Sequence, residues 1–173
     1  LCWLVRSQTQ EPRGIWVSFV DAHSGELLNV HNQVRYLSGT VYGYHDTRTV
    51  NGDFSTSPTP YVEVRTESHA EYADSSGNYE VDGSEVEVDF DGRYFEVRNS
   101  DGGEGWMGWD DGDITWTDDD ATQAEIDSYI FLNQVREWSA EYAPEVGITT
   151  DRLRSNVNIN STCNAYYDGS VNF

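Results

Sequence analysis

The chain has 173 residues, room for one ordinary domain or two small ones, with aromatics at 13% and a formal net charge of −21. The aromatic content argues against disorder despite the charge. Its ten basic residues are all arginine, and so acidic a surface excludes nucleic acid and anionic membrane as partners, because phosphate binding needs clustered Lys and Arg. It favours solubility, cation binding or tolerance of high salt. No stretch approaches the ~20 apolar residues of a membrane span, so no membrane insertion is expected. A signal-peptide pattern is absent, and a chain starting on Leu1 is expected to be processed or part of a longer product.

Cys2–Arg6 and Ile15–Val20 are β-branched and aromatic runs around a polar Pro12-Arg13-Gly14 turn, which predicts a hairpin. Asp21–Glu26 forms a second turn, and Leu27 to Tyr36 reads as a third strand. From Gly39 the predicted strands are short and closely spaced: Thr40–Tyr44, Tyr61–Thr66, Asn78–Val81, Glu85–Phe90 and Tyr94–Arg98. Asn51-Gly52, Ser76-Gly77, Asp82-Gly83 and Asp91-Gly92 punctuate them. Val86, Val88 and Phe90 alternate with acidic residues, the period of a half-buried strand. Such a series predicts a small sandwich or barrel.

Asn99 to Asp120 is rich in Gly, Asp and Trp without a regular period. Asp110, Asp111, Asp113 and Asp118 are candidate oxygen ligands for calcium, with Asp119, Asp120, Asp101 and Glu104 nearby, although the spacing is not that of an EF-hand. Trp106, Trp109 and Trp116 read as packing anchors of this loop rather than a sugar platform. Asp118-Asp119-Asp120 then precedes a helix over about 121–142, where carboxylates suit the positive end of the dipole. Ile126, Ile130, Leu132, Val135 and Trp138 supply its apolar spacing, and Pro144 and Gly147 end it. Leu153–Asn160 and Thr162–Tyr167 return to strand. Asn160-Ser161-Thr162 is a glycosylation acceptor pattern at Asn160. Cys2 and Cys163 are open to pairing with each other or with cysteines elsewhere.

Three segments carry a family resemblance. Asp21-Ala22-His23-Ser24-Gly25-Glu26, after a strand containing Trp16, resembles the turn at the end of PepSY-type prodomains in thermolysin-like and fungalysin-like metallopeptidases. Asp74-Ser75-Ser76-Gly77-Asn78-Tyr79 is similar to a hairpin of carboxypeptidase-regulatory or transthyretin-like sandwiches. Thr162–Phe173 resembles the segment upstream of the zinc helix in those peptidases, where an Asn-Ala-aromatic edge strand binds the substrate backbone; Asn164 and Ala165 are the matching positions. The H-E-x-x-H helix that should follow is not in the chain, and His23, His31, His45 and His69 lack its spacing.

The resemblance implies an α+β, mainly-β chain: a PepSY-like remnant over 1–38, a β-sandwich over 39–98, and an acidic linker, helix and edge strands over 99–173. It implies a noncatalytic part of a secreted zinc metalloendopeptidase precursor, with no catalytic residues or cofactor of its own; calcium at the acidic loop is a separate reading of the residues, which the resemblance does not explain. Zinc would sit in a downstream segment, and the partner would be the rest of the precursor. Cys163 is then expected to be oxidised, its partner outside residues 1–173. The alternatives are an extracellular structural subunit, joined to neighbouring copies by strand addition and forming filaments, or a calcium-stabilised adhesive module.

Overall fold

The structure is a computed structural model, and it describes residues 1–10, 13–67, 69–110, 112–145, 151–160 and 165–173. They divide into two compact units, Leu1–Tyr36 and Leu37–Phe173. The class is α+β and mainly β, with several sheets and, among the described residues, one helix.

The N-terminal unit is an antiparallel sheet in the order β1 (Cys2–Gln10), β2 (Arg13–Asp21), β3 (Leu27–Asn32). The predicted hairpin is present, in register from Cys2 opposite Asp21 to Gln10 opposite Arg13. The Asp21 carboxylate accepts the N–H groups of His23 and Ser24, both at 2.8 Å, and Gly25 completes the reversal at φ +75°. The bonds from Ser24 and then His23 hold this carboxyl below its ordinary range. The third strand stops at Asn32 rather than Tyr36. There the Asn32 side-chain oxygen accepts the N–H groups of Ile15 and Val34, both at 3.0 Å, and so takes over from the backbone ladder.

The C-terminal unit contains β4 (Tyr36–Asp46), β5 (Phe54–Pro58), β6 (Val62–Arg65), β7 (Ala70–Tyr72), β8 (Asn78–Asp82), β9 (Val86–Gly92), β10 (Phe95–Asn99), β11 (Trp106–Trp109), β12 (Ile114–Trp116), α1 (Gln123–Tyr142), β13 (Leu153–Val157), β14 (Tyr166–Tyr167) and β15 (Val171–Asn172). An eight-stranded sheet runs β14-β15-β13-β10-β9-β6-β7, with β11 also on β9; a four-stranded sheet runs β12-β4-β5, with β8 also on β4. β9 behaves as its alternation predicts, burying Val86, Val88 and Phe90 and exposing Glu87. Val41 and Trp116 from the smaller sheet, Val64 and Phe90 from the larger, and Ile126 and Tyr129 from α1 share one core. The Phe90 and Trp116 rings meet at 4.4 Å between centroids.

Gly43 and Gly92 let the helix approach. A Cβ at Gly43 would lie 2.8 Å from Ile130, and one at Gly92 would lie 2.0 Å from the Tyr129 hydroxyl. Tyr129 is fully buried and donates to the Pro60 carbonyl at 3.1 Å. Burial drives its phenol well above the ordinary range.

The helix corrects one expectation. Ile126 and Ile130 are buried and Leu132 is partly so, but Val135 and Trp138 are exposed. Asn133, Arg136 and Ser139 bury instead. The Arg136 guanidinium lies 3.4 Å from the Tyr94 ring centroid and 5.1 Å from that of Tyr61, so a cation over aromatic faces replaces aliphatic packing in this half of the helix.

Candidate functional site

The helix start and the sheet margin are built together. Thr122 caps α1, with a reciprocal capping box to Glu125. Asn158, at φ +54°, donates its side-chain amide to Asn99 Oδ1 at 3.0 Å and Thr122 Oγ1 at 3.2 Å, which pins the end of β13 to the helix start. β15 lies parallel to β13, and buried Asn172 accepts from Asn156 Nδ2 at 2.8 Å and donates to Asp168 Oδ1 at 3.1 Å. These bonds place the β14–β15 hairpin so that β14 is the marginal strand of the eight-stranded sheet. Ala165 is exposed immediately before it. Cys163 and Asn164 lie outside the described residues. A marginal strand can offer backbone groups to an extended peptide.

Beside this margin is an apolar groove of about 320 Å³ on α1, lined by Phe131, Leu132, Val135, Val157 and Phe173, with Arg48 and Asp127 at its polar part. Asp127 is buried; it accepts from Arg48 at 2.7 Å, Gln123 Nε2 at 2.7 Å and the Asp46 N–H at 3.1 Å. Arg48, at φ +56°, also lies 5.5 Å from the Phe131 ring centroid. In the same groove the Ser128 hydroxyl bonds the Ser155 hydroxyl at 2.8 Å. The groove therefore offers apolar contact, while these polar groups are engaged in holding its walls.

The acidic loop does not gather its carboxylates. Asp113 accepts the Thr40 N–H at 2.9 Å, and Asp120 accepts from Thr117 N at 3.1 Å and Thr117 Oγ1 at 2.7 Å. Asp110, Asp118 and Asp119 are exposed, and Asp111 lies outside the described residues. Among the described residues no three His, Cys, Asp or Glu side chains converge on one point suited to a metal. Of the three tryptophans, only Trp116 is a buried anchor; Trp106 is 67% and Trp109 46% exposed, on β11 where it pairs with β9. Asn160 is exposed, as a glycosylation acceptor must be, while Ser161 and Thr162 are outside the described residues.

One polar pair was not legible in the sequence. His45 on β4 is buried, with Nε2 2.8 Å from Ser57 Oγ and Nδ1 3.0 Å from the Asp46 carbonyl. The carbonyl can only accept, so Nδ1 carries a proton, and in the neutral imidazole Nε2 then accepts from the serine. That is the hydrogen-bonding order of a base and a nucleophile, but neither residue lines the groove. The pair ties β4 to β5, and twelve residues of separation gave no local signal for it.

Comparison with protein-family models, curated proteins and solved structures finds no match for this chain.

Proposed function

We propose that the chain is a noncatalytic segment of a secreted zinc metallopeptidase precursor: the PepSY-like end of a prodomain, a carboxypeptidase-regulatory-like sandwich, and the first part of a catalytic domain. One observation carries this reading. The order α1, β13 and then a marginal β14 preceded by exposed Ala165 is the order the resemblance implies for an edge strand that binds substrate backbone. The prodomain part would assist folding or block the cleft. The Asn164–Ala165 segment would contribute substrate contacts only once joined to a zinc helix.

The coding sequence downstream of Phe173 tests this directly. An H-E-x-x-H helix there supports the reading, and a stop codon or an unrelated domain overturns it. At the bench, the chain of residues 1–173 is expected to cleave no peptide with or without zinc. Chelator-sensitive cleavage of casein by the pure chain overturns the noncatalytic assignment.

A second reading, an extracellular structural subunit, is favoured by a different observation: β1 is an edge strand with all its side chains exposed except that of Thr9.

A further inference from the structure

The formal charge is unevenly divided between the two units. In Leu1–Tyr36, Arg6, Arg13 and Arg35 balance Glu11, Asp21 and Glu26, so the whole of −21 falls on residues 37–173. The neutral unit is also where apolar side chains are bare. Leu1, Trp3, Leu4 and Val5 are each 46% exposed or more, within the first five residues, at the start of an edge strand.

The direction of the free edge follows from the hydrogen bonds. The Leu1 carbonyl accepts from Ala22 N at 3.1 Å, and on the other side of β2 the Ile15 carbonyl accepts from Gln33 N at 2.7 Å. With the β1–β2 register, the odd-numbered residues of β1 therefore bond β2, and Cys2, Leu4, Arg6 and Gln8 turn their N–H and C=O groups outward. β1 is nine residues long and lacks the proline, lysine and bulge that ordinarily blunt such an edge.

We propose that β1 is a self-association edge, pairing antiparallel with β1 of a second copy about a twofold axis through Leu4. In this register Leu4 faces its own symmetry mate in a hydrogen-bonded pair. Trp3 faces Val5 of the second copy in the closer, non-hydrogen-bonded pair. Trp3, Leu4 and Val5 thus meet apolar residues of the second copy on the same face, while Cys2 faces Arg6 and Leu1 faces Ser7, and the two three-stranded sheets become one of six strands. A second copy fits because the Trp3–Val5 stretch is its own apolar complement and the unit bearing it has no net charge to repel its mate. The contact is isologous and closes, so it yields a dimer and not a fibre. It gives the structural-subunit reading a contact between two copies, though a closed one that does not itself build filaments, and it does not depend on the metallopeptidase reading.

The remaining −21 on each copy sets the salt dependence. Between about 0.1 M and about 1 M sodium chloride the screening length falls from about 10 Å to about 3 Å, which weakens repulsion between copies. The test is sedimentation velocity of the full chain across that range, with circular dichroism to verify folding. A dimer that strengthens with salt is expected. Leu4→Lys, at an exposed position, puts two cations at the axis and should weaken association at least tenfold. Leu4→Pro removes an outward N–H and should act alike. Val30→Lys, on the other edge strand, should leave the dimer intact. A monomer at every salt and concentration overturns the proposal. So does a dimer that persists in both Leu4 variants, or one lost in Val30→Lys instead.

Discussion

Glu125 accepts the backbone N–H of Gly105 at 3.0 Å, twenty residues away, from a position that is 1% exposed. The same carboxylate accepts Thr122 N at 2.9 Å, Thr122 Oγ1 at 2.7 Å and Asn99 Nδ2 at 3.3 Å. One side chain therefore caps the helix and holds the loop before β11 to it. Glu125→Ala strands the buried Gly105 N–H and removes the cap's reciprocal half. Hydrogen bonds to charged groups contribute about 1.5–3 kcal/mol each, and they do not add in full. A loss of about 3 kcal/mol is expected in urea unfolding, against about 1 kcal/mol for Thr122→Ala. Equal effects from the two variants would mean that the Gly105 bond contributes nothing.

Gly92 and Tyr129 should be coupled. A Cβ at position 92 would meet the Tyr129 hydroxyl at 2.0 Å, ahead of the ring carbon bearing it at 2.9 Å. Gly92→Ala must displace the ring from the core and break its bond to Pro60; overpacking of this kind costs about 1–3 kcal/mol. Tyr129→Phe alone loses one hydrogen bond, about 1 kcal/mol. Because the phenylalanine removes the atom that clashes first, the double variant should be more stable than the sum of the singles predicts. Strict additivity in a double-mutant cycle would count against this contact.

What was legible in the sequence was whatever a local period encodes. The alternation of Val86, Val88 and Phe90 marked β9, and the Gly25 turn marked the approach to β3. β5, β11 and β12 gave no such signal. β5 reads Phe-Ser-Thr-Ser-Pro, and β12 is three residues long and exists through its parallel pairing with β4, more than seventy residues earlier. The helix shows the converse failure. Counting apolar residues merged two stripes, the buried one at Ile126 and Ile130 and the groove-lining one at Phe131, Leu132 and Val135. The cation–aromatic packing that buries Arg136 has no apolar residue on the helix to announce it. Of the candidate site, Ala165 lies just before β14 rather than within a strand, and Asn164 lies outside the described residues, whereas the buried Asp127–Arg48 link gave no signal because its partners are 79 residues apart.

Asp74 makes acid stability testable. Its carboxylate accepts Ser76 N at 2.7 Å, Asn78 N at 2.9 Å and Asn78 Nδ2 at 3.1 Å, closing the turn into β8. The Asn78 N–H contributes most to holding it below its ordinary value of 3.8. A carboxyl depressed in the folded state stabilises it above the unfolded value, and that contribution is lost as pH falls through the folded value. Asp74→Asn keeps an acceptor oxygen but does not titrate. The wild type should therefore lose more stability than the variant between about pH 5 and about pH 2.5 in urea titrations. Parallel pH profiles would show that the turn carboxylate does not contribute.

The acidic loop bears on the adhesive-module alternative. Compact folding brings carboxylates together, and with −21 on the C-terminal unit their repulsion opposes the folded state. Asp113 spends its acceptor on Thr40 of β4 and Asp120 on Thr117 in a local turn, and so they do not face a common centre. Such carboxylates respond to ionic strength rather than to ion identity. Sodium chloride should raise the melting temperature by screening, and calcium should add little at matched ionic strength. A site binding only the folded state would instead add RT ln(1 + [L]/Kd), about 2.7 kcal/mol at a hundredfold excess over Kd. The comparison to make is the wild type against an Asp111→Asn, Asp113→Asn double variant in both salts. Equal shifts in the two proteins and the two salts are expected. A calcium-specific rise that the variant loses would establish a built calcium site in this loop.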